Sequence, residues 1–259
     1  MIRVESISKQ FTVRERASLL SLRAHTRVVK AVDGVSFEAH DGQITGILGP
    51  NGAGKTTTLR MLSTLLTPDQ GRVEIDGVDL LSGRAEIRQR LGVLGDSKGL
   101  YWRLTARENI VYFARLHGLS SHDAATRADR LLHELGLDAL ADRPTQGFSQ
   151  GERIKVAIGR ALVHDPQTVM LDEPTNGLDI MSTRSMRELI LRLKTQGKCV
   201  LFSTHLMQEV AALCDRIVII AQGRVVFSGT TGEVLALPGV ASLEEGFVKL
   251  IGSEEGLFA

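Results

Sequence analysis

Three features are scarce in this sequence, and each scarcity excludes a class of protein. Only two cysteines occur in 259 residues, Cys199 and Cys214, which is too few for a disulfide framework and suits a reducing cytosol. The longest apolar runs, such as Ile217–Ala221, are far shorter than the roughly 20 residues that cross a bilayer. The 31 Lys and Arg residues are balanced by 30 Asp and Glu residues, so the positive excess typical of nucleic-acid-binding proteins is missing. We therefore expect that the protein does not span a membrane by itself and that nucleic acid is not its main partner.

The N-terminal residues predict a strand rather than a secretory leader. Residues 2–7 alternate between apolar and polar, as a half-buried strand does, so we expect no signal peptide. A basic segment, Thr12–Val28, interrupts this pattern, which resumes at Val35. We expect the segment to form an inserted hairpin loop or a short helix, either solvated at the surface or in contact with a membrane or a partner.

A glycine-rich loop, Gly49–Thr57, is the most informative stretch of the chain. It satisfies the phosphate-binding pattern of a Gly, four residues and then Gly-Lys-Ser/Thr. The apolar run Ile44–Leu48 before it predicts a buried strand, and residues 57–66 after it have helical periodicity. Glycines let successive N–H groups point into a concave nest, and a helix N-terminus adds its positive end. The loop therefore predicts a nucleotide site, with Lys55 on the β- and γ-phosphates and the Thr56 hydroxyl on Mg²⁺.

The rest of the chain alternates between strand and helix signals around one helical stretch. Between Gly95 and Gly147, helices are predicted to start at Thr105, with Glu108 as its capping-box partner, and at Ser120. Strand and helix patterns then alternate as far as residue 220. Such alternation implies a mostly parallel sheet with crossover helices, and 259 residues can form one large α/β domain or a domain with a small subdomain.

Two acids follow a predicted buried strand, Val169–Leu171. In a parallel sheet the carboxyl ends of the strands face the ligand crevice. Asp172 can therefore hold Mg²⁺ through water, opposite Thr56, while Glu173 can orient or activate an attacking water. Two acids after a strand are by themselves more often a loop start or a helix cap. The phosphate-binding loop on the same chain favours the functional interpretation.

Ser149 and His205 each have a structural and a functional interpretation. Ser149 can cap the next helix with Glu152 as its capping-box partner, and the same hydroxyl together with the Gly151 amide can form an anion site. Both roles are compatible. His205 follows a predicted strand, where a lone histidine is usually a packing or capping residue, but at the crevice edge it can hydrogen-bond a γ-phosphate.

A family resemblance joins these motifs. The ordered segments GPNGAGKTT, FSQGE, VMLDEPTNGLD and FSTH resemble the ATP-binding subunit of an ABC transporter over nearly the whole chain. The segment from Lys30 to Gly71 and the ending SLEEGFVKLIG are most similar to bacterial exporter ATPases of the sodium-efflux and drug-efflux kind. The resemblance implies an α/β P-loop NTPase of ABC type, with a mostly parallel sheet core, an N-terminal antiparallel β part and an inserted α-helical subdomain. It implies one ATPase domain, with residues 1–95 and 148–230 as nucleotide-binding core, 96–147 as helical subdomain and 231–259 as a short helical tail.

The resemblance also implies a site shared between two copies of the chain. ATP and Mg²⁺ would lie between the subunits of a head-to-tail dimer. The loop residues that would bind ATP are Gly49, Pro50, Asn51, Gly52, Ala53, Gly54, Lys55, Thr56 and Thr57. The second subunit would complete the site with Ser149, Gln150 and Gly151, while Asp179 would run across the dimer interface. Phe11 would stack on the adenine.

Catalytic and metal-binding roles are implied for a further set of residues. Lys55, Glu173 and His205 would form the catalytic group. Thr56 and Asp172 would hold Mg²⁺, and so would Asp96 through water, although most relatives have Gln at that position. The signature reads Phe-Ser-Gln-Gly-Glu rather than the commoner Leu-Ser-Gly-Gly-Gln, but it keeps Ser149 and Gly151.

The implied function is ATP hydrolysis that drives export through separate transmembrane permease subunits, on the cytoplasmic side of the membrane. The exported substrate would be an ion such as sodium, or a drug or lipid-like solute. Polysaccharide export is the alternative substrate, because a long Thr12–Val28 segment is similar to those exporters. The alternative function is a soluble ABC ATPase acting on ribosomes or DNA. A single ATPase domain, a short helical insert and a net charge of +1 count against it.

Overall fold

The computed structural model describes residues 1–16, 24–95 and 99–252. The strands are β1 (Ile2–Arg16), β2 (Ala24–Ala39), β3 (Ile44–Leu48), β4 (Gln70–Ile75), β5 (Val78–Asp79), β6 (Leu91–Leu94), β7 (Thr168–Asp172), β8 (Cys199–Thr204), β9 (Arg216–Ala221) and β10 (Arg224–Gly229). The helices are α1 (Lys55–Leu62), α2 (Arg84–Arg90), α3 (Ala106–Leu116), α4 (Ser121–Glu134), α5 (Gln150–Leu162), α6 (Ile180–Thr195), α7 (Met207–Leu213), α8 (Thr231–Leu235) and α9 (Leu243–Ile251). Among these helices, none is long and apolar enough to cross a membrane.

The strands form two sheets, which confirms the predicted fold class. A six-stranded sheet has the order β10-β9-β3-β8-β7-β6, and its strands are parallel except for β10. A four-stranded antiparallel sheet has the order β2-β1-β4-β5 and contains the N-terminal strands. All residues of β3, β7 and β8 are buried, as expected for parallel strands that are covered on both faces.

Successive residues of the central strands point into two different hydrophobic cores. Leu171 on β7 and Phe202 on β8 belong to the core that contains buried residues of α3, α4, α5 and α6. Their neighbours Met170 and Leu201 belong to the core shared with α1 and the antiparallel sheet. This alternation follows from the two-residue period of a strand. The parallel sheet is therefore held rigidly from both sides, which fixes the positions of its strand ends.

The N-terminal hairpin differs from the expectation that its strand pattern is interrupted at Thr12. β1 continues through bulges between Val4 and Gln10, and the pairing with β2 extends to Arg16 opposite Ala24. Of the two alternatives predicted for Thr12–Val28, the described residues form the hairpin and not the helix; residues 17–23 lie outside the described part of the chain. The apolar alternation is lost because β4 pairs with β1 only as far as Ser8. Residues 10–13 and 27–30, which lie beyond this pairing, are exposed.

The starts of two helices in the helical segment were predicted correctly from their capping residues. Thr105 and Glu108 form the expected reciprocal capping box before α3, and Ser120 caps α4. These two helices lie within the segment predicted to be helical, between β6 and α5. Helix α2 and strand β10 were not predicted.

Candidate nucleotide-binding site

Three neighbouring parallel strands end at the same edge of the sheet. Leu48 at the end of β3 pairs with Thr204 at the end of β8, and Asp172 at the end of β7 pairs with Ser203. The segments that follow these strands, which carry the phosphate-binding loop, Glu173 and His205, therefore lie side by side. The carboxyl ends of parallel strands are the usual position of a ligand crevice.

The phosphate-binding loop borders an open cavity of about 170 Å³. The residues around it are Ala31, Asn51, Gly52, Ala53, Gly54, Lys55, Thr56, Thr57 and Glu173. Gly54 has a φ of 106°, and a Cβ atom at this position would lie 2.4 Å from the carbonyl oxygen of Ala31 on β2. Only glycine allows this close approach, which places the start of α1 against the antiparallel sheet.

Lys55 is buried beside the loop that it belongs to. Its Nζ atom donates hydrogen bonds to the carbonyl oxygens of Gly49 at 2.7 Å and Pro50 at 3.1 Å. Burial lowers the pKa of Lys55, and the negative charges of Glu173 and Asp172 act in the opposite direction. The two acids favour the charged form of Lys55. A desolvated ammonium group is suited to binding an anion that enters the loop.

Asp172 lies next to Thr56, as predicted. The Thr56 hydroxyl donates to Oδ1 of Asp172 at 3.4 Å, and the Ser203 hydroxyl donates to the same oxygen at 2.5 Å. The Asp172 carboxylate is buried. A hydroxyl and a carboxylate at this distance provide the oxygen ligands that Mg²⁺ prefers, so the chemistry of the residues fits that ion.

Glu173 has an unusual backbone conformation. Its φ is 45°, which non-glycine residues rarely adopt, and such residues cluster at functional sites. Its N–H donates to the Ser203 hydroxyl at 3.1 Å. Nδ1 of His205 lies 3.3 Å from Oε1 of Glu173, and Nδ2 of Asn176 donates to Oε2 at 2.9 Å. The structure thus brings Glu173 and His205 together beside the loop.

Ser149, Gly151 and Asp179 lie together at a different place on the chain. Ser149 caps α5, accepting from the N–H of Glu152, which in turn accepts from the N–H of Ser149. A Cβ atom on Gly151 would lie 2.9 Å from Oγ of Ser182, close to the start of α6. Asp179 caps α6, and hydrogen bonds from Ser182 lower the pKa of this carboxyl. None of the three is among the described residues around the loop cavity.

Of the two remaining predicted site residues, Phe11 stands apart from the cavity. Phe11 pairs with Val29 on β2 and has an exposed fraction of 39%. It is not one of the described residues around the cavity, although Ala31, two residues beyond Val29, is. Asp96 lies outside the described residues.

Sequence reasoning missed two residues of the site, Ser203 and Asn176. Ser203 bonds to both acids at the end of β7, and Asn176 bonds to the Glu173 carboxylate. Both lie inside segments that carry the family resemblance, FSTH and PTNGLD. Their position within those segments was the available signal, but their partners become evident only from the strand pairing and the turn geometry.

Comparisons with known proteins agree with this geometry. The family model described as ABC transporter matches residues 32–176. The chain is 50% identical over 204 residues to the ABC transporter ATP-binding protein NatA of Bacillus subtilis, covering 78% of this chain and 83% of that protein. It is 36% identical over 230 residues to the linearmycin resistance ATP-binding protein LnrL of the same organism, covering 86% and 74%. A solved ATP-binding subunit of an ABC transporter superimposes with a TM-score of 0.81 at 29% identity, covering 96% of this chain and 98% of that one. The chain therefore belongs to the ATP-binding proteins of ABC transporters and has the fold of their ATPases.

Proposed function

We propose that this chain is the ATP-hydrolysing subunit of an exporter and that it acts as a head-to-tail dimer bound to separate membrane subunits. The observation that carries the proposal is the convergence of Thr56, Asp172, Glu173 and His205 beside the phosphate-binding loop. The similarity to a linearmycin resistance protein supports export as the direction of transport. The substrate would be an ion such as sodium, or a drug or lipid-like solute, with polysaccharide as the alternative.

Each residue of the site has a role in the proposed reaction. The Thr56 hydroxyl and the Asp172 carboxylate would hold Mg²⁺, which when bound neutralises the charge that develops on the phosphates. Glu173 would accept a hydrogen bond from the attacking water, while His205 would donate one to the γ-phosphate. Lys55 would exchange its bonds to the Gly49 and Pro50 carbonyls for the β- and γ-phosphates.

The proposed dimer follows from the separation between the two halves of the site. Ser149 and Gly151 at the start of α5 are not among the described residues around the loop cavity, so we expect them to contact the nucleotide on a second copy. Asp179 would lie across that interface. ATP would then favour the closed dimer because it makes contacts with both copies only in that state. Helices α3 and α4 would pass the closing motion to membrane subunits, with the chain bound peripherally at the cytoplasmic side.

The variant Glu173→Gln tests this function. We expect it to lower kcat for ATP hydrolysis by roughly 100-fold or more, because an amide cannot accept a proton from water. ATP-bound dimers should persist in size-exclusion chromatography, because the phosphate contacts remain. Glu244→Gln on α9 is the control with the same substitution at an exposed site. Hydrolysis by Glu173→Gln at the wild-type rate would overturn the assignment of Glu173.

Purification from membranes tests the proposed partners. We expect the chain to co-purify with a multi-helix membrane protein. Sedimentation with ribosomes, without such a partner, would instead favour the soluble ATPase and contradict the exporter.

A further inference from the structure

Asn176 connects the candidate catalytic acid to the start of α5. Its side-chain Nδ2 donates to Oε2 of Glu173 at 2.9 Å, while its backbone oxygen accepts from Nε2 of Gln150 at 2.9 Å. Gly177 makes this second bond possible. Its φ is 70°, and a Cβ atom at this position would lie 2.6 Å from Nε2 of Gln150. A side chain there would displace the Gln150 amide.

Among the described residues, the side chain of Asn176 is one of three side chains that contact Glu173, with those of Ser203 and His205. Ser203 accepts from the N–H of Glu173 and therefore fixes the backbone but not the carboxylate. His205 contacts Oε1. Because His205 is expected to turn toward the γ-phosphate, the Asn176 amide is the partner that can keep the carboxylate oriented during hydrolysis.

We infer that Asn176 is a positioning residue that aims the Glu173 carboxylate at the attacking water, and that Gln150 holds Asn176 in place. The inference rests on the proposed function. Gln150 lies between Ser149 and Gly151, which would contact the nucleotide of a second copy. The link therefore joins the contact surface for one ATP to the acid that hydrolyses the other.

Exposure of both side chains makes this inference easy to test. Asn176 and Gln150 are exposed, so replacing them should leave the fold intact. The test compares Asn176→Ala, Asn176→Asp and wild type in steady-state ATP hydrolysis with Mg²⁺ and in ATP binding. Gln196→Ala is the control, since Gln196 is exposed at the opposite end of α6.

We expect Asn176→Ala to lower kcat about tenfold while KM for ATP stays within about twofold of wild type, because the lost bond goes to a charged group and not to the nucleotide. Asn176→Asp should lower kcat at least as much, because it removes the amide donor and places a second negative charge beside the Glu173 carboxylate. Asp suits the same turn as Asn. If Asn176 only maintained the turn, Asn176→Asp would keep the wild-type kcat, and the inference would be overturned.

A double-mutant cycle tests the part played by Gln150. We expect Gln150→Ala to lower kcat by about threefold, and the double variant with Asn176→Ala to be no slower than Asn176→Ala alone. If Gln150 acted only by contacting nucleotide across the dimer, the reductions in kcat from the two substitutions would multiply and KM for ATP would rise. That result would contradict the role of Gln150 in holding Asn176. A wild-type protein without ATPase activity would instead refute the proposed function itself. Active wild type with a fully active Asn176→Asp would refute only the role of Asn176.

Discussion

The Ser203 hydroxyl donates a 2.5 Å hydrogen bond to Oδ1 of Asp172 and accepts one from the N–H of Glu173 at 3.1 Å. One side chain of β8 therefore orients both acids at the end of β7. We expect Ser203→Ala to lower the free energy of unfolding by about 1–3 kcal/mol, because the buried carboxylate of Asp172 loses a donor. It should also lower kcat and raise the Mg²⁺ concentration needed for half-maximal ATPase activity.

Chemical denaturation and a Mg²⁺ titration of ATPase activity check this prediction. Ser185→Ala is the matched control, because Ser185 is exposed on α6 and its hydroxyl donates only to the backbone oxygen of Met181. Unchanged stability together with an unchanged Mg²⁺ requirement in Ser203→Ala would show that Ser203 does not orient Asp172.

Replacing Lys55 should weaken nucleotide binding and leave the stability of the fold nearly unchanged. Within the described part of the chain, its Nζ donates only to the carbonyls of its own loop, so Lys55→Met should change the stability of the nucleotide-free protein by no more than about 1 kcal/mol. ATP at a hundredfold excess over Kd stabilises a protein by about 2.7 kcal/mol. We expect this gain to fall by more than half in Lys55→Met, because the phosphates lose a buried cation.

Thermal unfolding with and without ATP and Mg²⁺ measures this difference. Lys249→Met, an exposed position on α9, should retain the full ATP-dependent shift in Tm. A Lys55→Met protein with the wild-type shift would exclude Lys55 as a phosphate ligand.

Local patterns were sufficient to predict much of the fold. The strand before the phosphate-binding loop, the parallel core and the capping boxes at Thr105 and Ser149 follow from residues that are close in sequence. The course of β1 beyond Ser8 was not predictable from alternation. Residues there, such as Val13, are exposed on a two-stranded ribbon, so no core imposes a pattern on them.

Contacts between distant segments were harder to predict. Asp172 and Ser203 are 31 residues apart, and they meet because β7 and β8 pair in a register that places them opposite each other. Hydrophobic pattern identifies such strands but does not give their relative register. Asn176 is near Glu173 in sequence, yet its contact depends on the positive φ of Glu173, which no residue preference indicates.

The two roles proposed for Ser149 can be separated by substitution. Ser149→Ala removes the cap of α5 and should lower the free energy of unfolding by about 1 kcal/mol. Ser149→Asp restores a good cap, and negative charge suits a helix N-terminus, but it would repel the γ-phosphate of a second copy. We therefore expect Ser149→Asp to be more stable than Ser149→Ala and yet unable to form ATP-dependent dimers.

Light scattering with ATP and chemical denaturation test both roles on the same samples. Ser120→Ala is the control, because the Ser120 hydroxyl likewise accepts from the N–H of the residue three positions on, at the start of α4. It should lose similar stability and keep its ATPase activity. If Ser149→Asp formed ATP-dependent dimers as wild type does, Ser149 would have no role beyond the cap.

A stacked pair of histidines should make the protein sensitive to acid. The rings of His117 and His164 are parallel, with centroids 3.6 Å apart, and Nε2 of His164 donates to the Leu91 carbonyl at 3.2 Å. Burial, and then the positive charge of His117, lowers the pKa of His164 to about 4, with Lys198 acting in the same direction and Asp165 against it. Burial also lowers the pKa of His117.

The sign of the pH effect follows from these shifts. Below its ordinary pKa of 6.5, the unfolded His164 binds a proton that the folded protein excludes until about pH 4. The contribution of this residue to stability is therefore complete above pH 6.5 and falls as the pH drops toward 4, by roughly 3 kcal/mol. We expect His164→Asn to lose the ring contact but to show a flatter decline in denaturation midpoint between pH 7 and pH 4. His122→Asn, at an exposed position on α4, should keep the wild-type slope. A His164→Asn protein with that same slope would mean that another group causes the acid sensitivity.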